Sequence, residues 1–239
     1  MKLRLWVLVC SVAVLASSLA SQAVEPGTKV TPVQISVWNP VQLAPDDWDV
    51  WGLRLNLPYG RNERVVGIDV GLVNSAIGFE GVQLGMWNST GYPIGLLPSV
   101  PPMAVSRGVQ IGVFNVTGMF SEFTGVQAGI FNMLGIDSSA GVQLGVFNGC
   151  GGDFAGVQVA GNFNMSGSFS GLQVTTLWNT NNGEGHGVQI ALLNRSSGMH
   201  GLQVGLINIA DRMTGVQIGL ANIIKDSPVP FLPVINACF

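Results

Sequence analysis

The sequence predicts an all-β chain, an antiparallel meander closed into a transmembrane β-barrel of about 12–14 strands, with a parallel β-solenoid as the alternative. Three observations carry that expectation. An eight-residue phrase, Gly-Val-Gln-Ile-Gly-Leu-x-Asn, recurs from Gly81, Gly108, Gly125, Gly141, Gly156, Gly171, Gly187, Gly201 and Gly215, with looser copies from Gly52, Gly67 and Pro32. Within each copy aliphatic residues alternate with Gly and Gln, which is the period of a strand; helical spacing would scatter both sets. The copies are joined by Asn-x-x-Gly connections, such as Asn115 to Gly118 and Asn132 to Gly135. Such a connection suits a type I turn with glycine in the left-handed position, and therefore a hairpin.

The elements follow in chain order. Residues 1–23 read as a secretory leader: Lys2 and Arg4, an apolar run from Leu5 to Leu15, then small residues ending at Ala23. Residues 24–239 form a single repeat-built β domain. Pro32 to Leu43 is expected as the first strand, Asp46, Asp47 and Asp49 as an acidic turn, and the segments from Trp51 and Val65 as a hairpin. Strands then follow the phrase, interrupted between Ser89 and Arg107 by an apolar, proline-rich insertion. That insertion is either a binding or plug element open to an extracellular partner, or a segment folded over the rim. The copies from Gly156 and Gly171 hold one extra residue, expected as a bulge. Phe231 to Phe239 is the final strand.

One face of each strand carries aliphatics such as Val109, Ile111 and Val113; the other carries Gly108, Gln110, Gly112 and Phe114. The aliphatic face must be buried in protein or in lipid. From the Phe position to the Asn each copy spans about ten residues, matching the roughly 9–11 of a tilted transmembrane strand. Charged residues make up only 10% of the chain and mean hydropathy is +0.43, yet no stretch after the leader approaches the roughly 18 apolar residues of a membrane helix. Apolarity is therefore spread over alternating strands, and outer-membrane lipid is the expected partner. Successive copies from Gly67 start 14 to 17 residues apart, with one gap of 27. Hairpin loops absorb such unevenness, whereas a solenoid favours a constant coil.

In an antiparallel register Gly205 would face Gly215, Val204 would face Val216 and Gln203 would face Gln217. The polar face then forms a belt of candidate lumen-lining residues: Gln34, Arg54, Asp69, Gln83, Gln110, Gln127, Gln143, Gln158, Gln173, Gln189, Gln203 and Gln217. Arg54 and Asp69 replace Gln in successive strands and are placed to pair, as a structural lock or for a purpose of their own. The aromatics Trp87, Phe114, Phe131 and Phe147 share this face and would fill the lumen.

No nucleophile elbow, zinc helix, CxxC pair or phosphate loop is present, so no enzyme, cofactor or metal is expected. After the leader 8 basic residues stand against 13 acidic ones, which offers no basic stripe for nucleic acid. His186 and His200 share one repeat position; a solenoid would stack them and an antiparallel barrel would send them to opposite rims. Cys150 and Cys238 fit either a bridge or two free thiols.

The phrase resembles that of bacterial surface-repeat proteins, such as those of spirochaetes, over about Gly52 to Asn222. The closing Phe239 resembles the last residue of bacterial outer-membrane barrels, although Pro233 departs from that pattern. The resemblance implies a surface or outer-membrane location and no established activity. The expected function is that of a non-enzymatic cell-surface repeat protein with a structural or interaction role; the alternatives are a narrow passive pore and a secreted β-solenoid adhesin.

Overall fold

The computed structural model describes residues 27–91 and 104–239. The leader lies outside the described residues, as does most of the insertion between Ser89 and Arg107. The strands are β1 (Val30–Trp38), β2 (Val41–Gln42), β3 (Asp49–Leu84), β4 (Trp87–Thr90), β5 (Ala104–Ile111), β6 (Phe114–Thr117), β7 (Ser121–Ala128), β8 (Phe131–Leu134), β9 (Ser139–Thr175), β10 (Trp178–Ile190), β11 (Leu193–Val204), β12 (Ile207–Ile224) and β13 (Phe231–Cys238).

The barrel expectation is overturned: the chain is a parallel β-solenoid of about 11 turns. Successive copies run the same way and stack in register, Gly187 on Gly201 on Gly215 and Gln189 on Gln203 on Gln217. The antiparallel pairing of Val204 with Val216 does not form; Leu202 lies beside Val216 and Val204 beside Ile218. The segments from Trp51 and Val65 are likewise no hairpin. Both belong to the unbroken β3, where a Cβ on Gly67 would meet the Gly52 carbonyl, the relation that Gly215 bears to Gly201. Among the described residues antiparallel pairing is confined to β1 with β2 and β12 with β13.

Each Asn-x-x-Gly connection carries the chain back to its starting side one coil further along, rather than reversing it onto its neighbour. The repeat glycine explains why. Gly201 has φ +140°, and a Cβ there would lie 2.1 Å from the Gly187 carbonyl oxygen. Only glycine lets coil backbones close up at this position.

Gln inside and the aliphatics outside are as expected; what differs is the side taken by Asn and by the aromatic before it. Gly85 and Met86, and likewise Gly112 and Val113, form a bend between two strand arms. The bend shifts the alternation by one residue. Gln stays inside ahead of it, Asn turns inside after it, and the aromatic between them turns outward. Val, Ile and Leu of the phrase point outward throughout. Among the described residues apolar core remains in three clusters, such as Phe123, Leu134, Cys150 and Phe154, and Phe169, Met199, Ala210, Met213 and Ile224.

Candidate functional site

The predicted belt residues lie together, but in a solid interior rather than around a lumen. From Gln110 to Gln217 each Gln donates its Nε2–H to the Oε1 of the Gln one coil back, at 2.6–2.9 Å. Gln83 donates to Asp69 at 2.9 Å, and Asp69 takes two bonds from Arg54 at 2.6 and 2.8 Å. Gln34 stands apart, bonded through both amide atoms to the backbone of Ala44. These side chains are all buried, so the porin-like reading of the belt fails for want of a passage.

A second ladder, of Asn56, Asn74, Asn88 and their counterparts to Asn222, fills the other arm. Each Asn donates Nδ2–H to the next Asn Oδ1 at 2.8–3.0 Å. From Asn74 onward its second N–H reaches a main-chain carbonyl of the following coil, as Asn194 reaches Val204, while that of Asn56 goes to Asp69. Buried amides are tolerable only when satisfied in this way. Sequence reasoning placed Asn at a rim because it carried the alternation straight through the bend.

Function is therefore left to the outer surface, which has two characters. The positions one and three residues ahead of the repeat glycine border a trough of about 500 Å³, where Glu122, Thr124, Asp153, Ser170, Glu184 and His186 stand among apolar surface from Ala140, Phe154, Ala155 and Phe169. His186 and His200 stack there with ring centroids 4.7 Å apart and planes 8° apart. Glu184 is paired with Arg212. The residues after the glycine form an apolar wall, including a row of rings from Trp87 through Phe114, Phe131, Phe147 and Phe163 to Trp178. Centroids of successive rings are 4.8–6.3 Å apart.

Among the described residues no group of three His, Cys, Asp or Glu is placed to hold a metal ion. Cys150 and Cys238 are free thiols. Burial pushes the Cys150 thiol up to about 11, against a weaker lowering by its backbone hydrogen bond, so it is no nucleophile at neutral pH. Burial also raises the Asp49 carboxyl, partly offset by the charge of Arg64. No family model, curated protein or solved structure matches the chain.

Proposed function

We propose that the chain is a secreted, non-enzymatic β-solenoid that works as an adhesin-like interaction scaffold at the cell surface. One observation carries this reading: the interior is closed by continuous Gln and Asn ladders, while the outside presents the same side chains again and again. A rod whose face repeats every ~4.8 Å is suited to extended contact rather than to enclosing a small substrate. The leader-like residues 1–23 and the likeness of the phrase to bacterial surface repeats support export.

The test is antibody labelling of intact cells that express the full chain, together with adhesion of beads coated with the purified protein to protein- and glycan-coated surfaces. The expected result is labelling of unbroken cells and bead adhesion that protease treatment removes. A chain found only after lysis, with beads that behave as uncoated ones, would contradict the proposal.

A further inference from the structure

From Val33 to Ala221 the outward positions one to six residues after the repeat glycine carry no Asp, Glu, Lys or Arg, and the exposed Arg195 lies at the border of that strip, just past Asn194. The aliphatics Ile190 and Ile218 ahead of the bend, and Leu192, Leu206 and Leu220 on it, are all exposed. Stacked at ~4.8 Å per coil, such rows make an apolar strip roughly 50 Å long and roughly 15 Å wide, larger than the ~300–600 Å² patch of an ordinary soluble monomer. A strip of that size marks an interaction face.

Its shape selects the partner. The wall does not lie on one flat sheet; it folds over the bend from the first strand arm onto the second. Exposure on that crest reaches 57% at Met86 and 71% at Leu220, and the row ahead of it is open as well, 50% at Ile68 and 48% at Ile111. A second solenoid could cover one flank of a convex crest, leaving the other in water. Acyl chains cover both. The rows ahead of the glycine are mixed, with Ala140 and Ala155 among them, but they carry charged side chains of both signs, such as Glu122, Asp153, Glu184 and Arg212, so the rod is amphipathic across its width. Among the described residues no helix is long and apolar enough to cross a membrane.

We infer that the wall is a lipid-binding face: the solenoid lies along a membrane with its crest in the acyl region and its trough toward water. The inference rests on the reading of the outer surface as the working surface, and names lipid as what that surface meets. Because the wall is uncharged and acidic residues outnumber basic ones, 13 to 10, attraction to anionic headgroups contributes nothing. Binding is driven by apolar burial alone.

Flotation of the purified full chain with phosphatidylcholine vesicles tests this. The expected result is co-flotation that is equal at low and high salt, with fluorescence of Trp87 and Trp178 quenched by lipids brominated on the acyl chain. Leu192→Glu with Leu206→Glu lowers partitioning about a hundredfold, whereas Thr124→Glu with Ser170→Glu on the rows ahead of the glycine leaves it unchanged. Unchanged circular dichroism checks that these outward replacements fold; should the leucine variant not fold, quenching in the unaltered chain decides alone. Protein left at the bottom of the gradient with unquenched Trp overturns the inference. So does flotation only with anionic vesicles and release by salt, or a stable dimer in buffer that ignores vesicles. Failure of surface labelling would remove export and leave the vesicle result standing.

Discussion

Arg54 and Asp69 form a fully buried ion pair, Nη2 to Oδ2 2.6 Å, at the head of the glutamine ladder. Asp69 also accepts from Asn56 and Gln83, and a carboxylate, which only accepts, is suited to end a chain of amides whose N–H groups all point toward it. Removing one partner leaves a buried charge unpaired. Arg54→Gln or Asp69→Gln alone is expected to cost ~3–5 kcal/mol, while the double replacement, which prolongs the ladder, recovers most of that. A double-mutant cycle by chemical denaturation measures it; additive losses would show the pair to be uncoupled.

The two ladders run in opposite senses, Gln donating toward the N-terminus and Asn toward the C-terminus, so their aligned dipoles oppose one another. Gln143 donates to Gln127 and Gly149 and accepts from Gln158. Gln143→Leu strands all three and should cost about 3 kcal/mol. Val142→Thr, outward beside it, should stay within ~0.5 kcal/mol. Equal effects in melting experiments would mean that the faces are assigned the wrong way round.

The repeat glycines tolerate no side chain. A Cβ on Gly201 would press on the Gly187 carbonyl oxygen at 2.1 Å, whereas one on Gly161 meets only Val146 atoms at 3.7 Å and beyond. Gly201→Ala is expected to lower stability by more than ~3 kcal/mol or prevent folding, and Gly161→Ala to change it by less than ~1 kcal/mol. Thermal unfolding of the two variants compares them directly.

Cys150 links stability to alkaline pH. Its thiol has an ordinary value of 9.0 and is pushed up to about 11 in the fold, so the unfolded chain releases its proton first. The stabilising contribution is complete below pH 9 and is lost as pH rises through about 11. Cys150→Ala should flatten that part of the stability profile. In the native protein at neutral pH, iodoacetamide should modify Cys150 only at the rate of unfolding.

Much of this was legible in the sequence. The repeat, the strand period and the stacking of Gln on Gln followed from the phrase, because its positions around Gln read alike in either direction; that symmetry also hid the direction of stacking. Gly205 beside Gly215 and Gly201 beside Gly215 both bring Gln203 to Gln217. The deciding signal was the two-residue bend at Gly205 and Leu206, which puts Asn208 inside and Ile207 outside. Carrying the alternation through it exchanged those faces. His186 and His200, at one repeat position and stacked in the fold, were the sharpest sequence marker separating the two architectures.

That same pair supplies the most direct test of parallel coils. With Cys150 and Cys238 replaced by Ser, His186→Cys and His200→Cys occupy paired positions of adjacent strands, about 4.8 Å apart and so within the roughly 4.4–6.8 Å Cα range a disulfide spans. Mild oxidation should join them within one chain, in high yield, without loss of β structure. If they stay reduced while a His186→Cys and Leu206→Cys pair, apart in this fold but adjacent in a meander, cross-links instead, the copies run in opposite directions and the account fails.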